Sequence, residues 1–131
     1  MSTGIATAPN SSLRRTTIVV AAVAATATTL AAASLRAAGV HLAAGGKIPL
    51  AAFAQFTFAG AVLGGILVAV LNRRSTLPQR RFIQTAVVLT ALSCLAPAAA
   101  GDDLSSKIGL IAIHLLAATI IAPVLSRRTT R

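Results

Sequence analysis

Four apolar stretches, Thr16–Leu35, Ile48–Leu71, Phe82–Ala100 and Ile108–Leu125, fill most of this chain and contain no Asp, Glu, Lys or Arg. They run 20, 24, 19 and 18 residues, and a helix needs about 17–25 residues to cross the hydrocarbon core of a bilayer. In lipid the backbone finds no water, so each segment must satisfy its own N–H and C=O groups, which helices and closed barrels alone achieve. Continuous apolar segments of this length are helices. The expected fold class is all-α, an integral membrane four-helix bundle.

At 131 residues the chain holds one domain. Residues 1–15 read as a disordered cytoplasmic N-terminus, 16–128 as the four-helix transmembrane domain, and 129–131 as a cytoplasmic tail. Only 11% of residues are charged against 56% hydrophobic, far from the roughly 25% charged of a soluble domain.

The net charge of +10 is concentrated in pairs at the ends of the apolar stretches: Arg14-Arg15, Arg73-Arg74, Arg80-Arg81 and Arg127-Arg128. A nucleic-acid interface interleaves basic residues with polar and aromatic ones on a folded surface, so no nucleic-acid partner is expected. With the N-terminus inside, nine basic residues face the cytoplasm (those eight and Arg131) against three outside (Arg36, Lys47, Lys107). The positive-inside rule then predicts both termini in the cytoplasm. The partners implied are the bilayer itself and anionic lipid headgroups at the cytoplasmic Arg clusters, with a homo-oligomer or a membrane partner protein left open. Ten arginines against two lysines, in an alanine-rich chain, suggest a GC-rich bacterial genome and hence the bacterial plasma membrane.

The first stretch also resembles a signal peptide, with Arg14-Arg15 before it and Ala31-Ala32-Ala33 as a cleavage-like run. Its apolar part exceeds the usual 7–15 residues, so it is expected to stay as a span. Pro78 breaks the short inner loop and makes the second and third helices antiparallel neighbours. The outer loop Arg36–Lys47 is compatible with a short interfacial helix or a plain loop. Asp102 and Asp103 are expected to cap the last helix. Pro97 and Pro123 are expected to terminate their helices. The segments 70–76 and 124–130 echo each other (Val-Leu-Asn-Arg-Arg-Ser-Thr and Val-Leu-Ser-Arg-Arg-Thr-Thr), as a duplicated hairpin or a shared topology would produce.

Two sets of residues stand out inside the spans. Gly60 and Gly64 form a GxxxG, followed by Gly65, which lets a second backbone approach closely. Packing within the bundle, against Ala21, Ala25 and Thr29 of the first span, is the expected use. The second set centres on His114, roughly 9–10 Å below the outer end of its span. Gln55, Ser93, Cys94, Thr28 and Thr29 lie at matching depth in the other spans. Because ionisable groups at membrane depth usually face the bundle interior, His114 is expected inside, near at least one of these. Its role is then helix-to-helix hydrogen bonding, or a small transport or sensing site.

No catalytic, cofactor or metal site is expected. The spans hold no acid, and Asp102 and Asp103 lie at a different depth from His114. No glycine-rich phosphate loop follows a strand. A haem would need a second axial ligand, and only His41, in the outer loop, is available. A lone cysteine, Cys94, forms no intrachain disulfide or cysteine cluster.

Several local features carry a likeness to a known family: Ile48-Pro49-Leu50 opening the second span, the inner loop with its Arg pairs around Pro78, Pro97, His114-Leu115, and Pro123 ahead of Arg127-Arg128. In these the chain resembles a family of short actinobacterial four-span membrane proteins catalogued as a domain of unknown function, from about residue 16 to residue 128. The resemblance implies the architecture and brings no activity with it.

Overall fold

The computed structural model describes residues 9–129. Among them are four helices: α1 (Pro9–Ala37), α2 (Leu50–Arg74), α3 (Pro78–Ala100) and α4 (Leu104–Ser126). Each is long and apolar enough to cross a membrane. At 1.5 Å per residue they extend roughly 35–44 Å, longer than a hydrocarbon core of about 30 Å.

The helices overrun the apolar stretches because hydropathy marks the bilayer, whereas hydrogen bonding and capping mark the helix ends. α1 begins at Pro9, so residues 9–15 are helical rather than disordered, and residues 1–8 lie outside the described residues. Pro78 sits in the first turn of α3, where its missing N–H costs nothing, and Arg80 and Arg81 ride on that added turn. Pro97 and Pro123 do not end their helices: α3 continues to Ala100 and α4 to Ser126. Asp103 caps α4 as expected, its side chain accepting from the Ser106 N–H at 3.0 Å.

The bundle is large-residue at its ends and small-residue in the middle. At the arginine-rich end Leu13, Val20, Val68, Phe82 and Leu125 form one buried cluster; at the opposite end Ala32, Leu42, Phe53, Leu110 and Ile113 form another. Between them Ala21, Ala24, Ala25, Thr28 and Ala61 are buried. α1 and α2 are the most closely packed pair, and α3 packs mainly on α4. Many large apolar side chains are also outside, as with Phe56 at 77% and Leu63 at 65% exposure. Such a surface would associate in water and is at rest in lipid.

The loop between α1 and α2 contains no helix. It folds back so that Leu42, 2% exposed, packs onto Gly109 of α4. Positive φ at Gly39, Gly45 and Gly46 makes the reversal. Asp102, from the α3–α4 loop, holds it there: its Oδ1 accepts from the Gly45 N–H at 3.0 Å and its own N–H donates to Ala43 O at 3.3 Å. At the other end the Asn72 amide donates to Arg128 O at 3.1 Å, joining the two echoed segments.

Candidate functional site

The seam between α1 and α2 is where side-chain chemistry is concentrated inside the bundle. α1 presents Thr17, Ala21, Ala24, Thr28 and Ala32, spaced three or four residues apart, as one buried stripe. α2 answers with Phe53, Ala61, Gly65 and Val68. Residues three and four apart share a helix face, and small ones let the backbones close. The tightest point is Gly65, where an added Cβ would lie 2.5 Å from Thr17 Cγ2 and 3.0 Å from Thr17 Cβ. Thr17 is buried there with its hydroxyl unpartnered.

A cross-helix hydrogen bond, Thr28 Oγ1 to Thr57 Oγ1 at 3.0 Å, lies farther along the same seam. Thr28 Oγ1 also lies 2.9 Å from Ala24 O and 3.1 Å from Ala25 O. Thr28 has one hydroxyl proton, and carbonyls only accept. The consistent assignment has Thr28 donating within α1 while Thr57 donates to Thr28. Thr57 was not among the residues singled out from the sequence. Its signal was available, since it stands about 10 Å into α2 at the rise of 1.5 Å per residue and shares a helix face with Phe53 and Ala61.

The layer expected around His114 does not assemble. His114, near the middle of α4, is on the outer surface of the bundle, as are Gln55 and Ser93. Cys94 and Thr29 are half-buried, and Thr29 donates to Ala25 O of its own helix at 2.7 Å. Thr28 alone of the six is buried, and it pairs with Thr57. The reason is geometric: sequence position sets depth, but successive residues point about 100° apart around a helix. The buried face of α4 is built on Ser106, Gly109, Leu110 and Ile113, and His114, about 100° round from Ile113, falls at its exposed edge. Its Nδ1 lies 3.2 Å from Leu110 O, a hydrogen bond in the tautomer that carries the proton on Nδ1. That bond satisfies one ring nitrogen within α4 itself, which lowers the cost of facing outward.

The glycine pair is likewise shifted by one residue. Gly60 faces outward, and a Cβ there would meet nothing within 4 Å. At Gly64 it would meet only Leu125 Cδ1, at 2.9 Å on α4. The α1 contact belongs to Gly65, with Ala61 buried one turn earlier on the same face of α2. No group of three or more His, Cys, Asp or Glu that could hold a metal occurs among the described residues.

At the loop end Asp103 is held below the usual carboxylate range, to about 2, first by the Ser105 hydroxyl and then by Ser106. Ser105 Oγ donates to Asp103 Oδ2 at 2.5 Å. This is capping geometry, with charge favourably placed at a helix N-terminus.

Compared with known proteins, residues 8–131 match a family of unknown function, DUF6069. The chain belongs to that family. No curated protein and no solved structure matches it. The DUF6069 match covers α1 through α4, so the small-residue seam and the tucked loop both fall within the family's extent.

Proposed function

We propose that this DUF6069 chain is a non-enzymatic structural or accessory component of the bacterial plasma membrane, working by packing rather than by chemistry. The make-up of the interior carries this reading: alanine, glycine and threonine bring the helices together, and the histidine midway along α4 points outward. Transport or sensing through His114 would need a polar path to that ring, and its place on the outer surface withdraws support from that alternative. The nine-to-three distribution of basic residues supports an orientation with both termini in the cytoplasm. It also supports contact between the arginine clusters and anionic headgroups. The arginine- and alanine-rich composition supports a GC-rich bacterial source.

Affinity purification from native membranes, with quantitative mass spectrometry, tests the role. A discrete membrane partner should co-purify in stoichiometric amount, and equally with His114→Ala. A solute or proton flux in proteoliposomes that disappears in His114→Ala would overturn the reading. For orientation, a cytoplasm-dependent reporter should be active after Ser75 and after Arg131, and silent after Gly45; activity at Gly45 would reverse it.

A further inference from the structure

At the arginine-rich end of the α1–α2 seam the two helices leave an open groove of about 560 Å³, within the 300–1,000 Å³ typical of small-ligand sites. Its floor is the more buried Thr17, Gly65 and Ala69, and its rims are the exposed Ile18, Ile66 and Val70. Along α2 the lining runs from Val62 to Arg73, roughly 16 Å at 1.5 Å per residue. That is about half of a 30 Å hydrocarbon core, the depth of one leaflet. Charge occurs only at its mouth, where Arg14 and Arg73 line it and are exposed. The two acidic side chains of the chain, Asp102 and Asp103, are in the loop at the opposite end of the bundle. No side-chain carboxylate is therefore in reach of these arginines.

We propose that this groove seats one anionic phospholipid, its phosphate held by Arg14 and Arg73 and one acyl chain lying along the α1–α2 seam. The proposal rests on the reading that the helices span a bilayer and deepens it by giving the arginine clusters a defined seat. An apolar trough one leaflet deep with cations only at its mouth has the polarity of a phospholipid, end for end. A second copy inserted in the same orientation would bring its own arginines to the same end and be repelled there. Arg14 and Arg73 come from different helices, so a shared phosphate would also tie the start of α1 to the end of α2.

The test is native mass spectrometry of the full chain released from phosphatidylcholine nanodiscs with and without phosphatidylglycerol, paired with a photoactivatable phosphatidylglycerol acyl chain. One phosphatidylglycerol should be retained, cross-linking to Val62 or Ile66. Arg14→Gln with Arg73→Gln should weaken retention roughly 10- to 30-fold, whereas Arg80→Gln with Arg81→Gln, equal in charge lost, should leave it unchanged. Ala69→Phe keeps both arginines but fills the floor, and should also lose the lipid. Equal losses in the two arginine pairs would overturn the proposal by showing diffuse attraction, and cross-links to a second copy would overturn it by showing a different occupant. A chain that inserts into the nanodiscs but retains no phosphatidylglycerol refutes the groove alone; a chain that does not insert refutes the membrane reading with it.

Discussion

Gly65→Ala adds one methyl group at the tightest point of the bundle. The new Cβ would sit 2.5 Å from Thr17 Cγ2 and 3.0 Å from Thr17 Cβ, where carbon atoms rest comfortably at about 3.5–4.0 Å. Rotating Thr17 about χ1 moves its Cγ2 and hydroxyl but leaves Cβ in place, and a β-branched side chain on a helix has little rotamer freedom. The seam must therefore open by roughly 0.5–1 Å, and overpacking of this kind costs about 1–3 kcal/mol. Gly→Ala also favours a helix by up to about 1 kcal/mol, which would hide part of the loss. Gly60→Ala supplies the control, because it carries the same propensity gain and its Cβ meets nothing within 4 Å. The difference between the two variants isolates packing. Thermal denaturation in detergent should place Gly65→Ala roughly 5–10 °C below Gly60→Ala. Thr17→Ala in the Gly65→Ala background should recover much of that gap, with a coupling of about 0.5–3 kcal/mol. A Gly65→Ala protein as stable as Gly60→Ala would show that the inward face of α2 is assigned wrongly.

Three further outcomes follow from the polar groups. Thr28→Val should cost about 0.6 kcal/mol and at most about 1.7, and adding Thr57→Val should cost little more; additive losses by thermal denaturation would mean the two hydroxyls act separately. His114→Leu should leave stability in detergent unchanged or raise it, since it removes a polar ring from the outer surface; a marked loss would show that the ring makes an interior contact. The Asp103 carboxyl lies at about 2 in the folded chain against an ordinary 3.8, so folding favours its charged form. Its contribution is therefore complete above about pH 4 and fades as pH falls toward 2. Asp103→Asn should keep the cap but lack this acid-dependent fall, and parallel melting-temperature–pH curves for the two proteins would refute the assignment.

Much of the architecture was legible along the chain. Four uninterrupted apolar stretches implied four spanning helices, because backbone groups in lipid must bond within their own segment. Asp103 was legible as a cap because short acidic side chains bond helix-start amides in a strictly local geometry. The continuations past Pro97 and Pro123 were not legible, since one missing N–H near a helix end is outweighed by the bonds of the turns that continue past it. Leu42 reads as one more apolar loop residue until Gly109, distant in sequence, is brought beneath it.

The deeper divide is between depth and direction. Sequence position alone set how far down each helix His114, Gln55, Ser93 and Thr28 would stand, since rise per residue is constant. Which of them look at one another depends on how each helix is rotated about its axis. Apolar side chains occur on every face of these spans, so no strong amphipathic pattern announces the inward face. Rotation is decided by fit, with Gly65 against Thr17, Gly64 against Leu125 and Gly109 against Leu42. Those three contacts turn Thr28 in to meet Thr57 and His114 out, and none of them exists until the helices have packed.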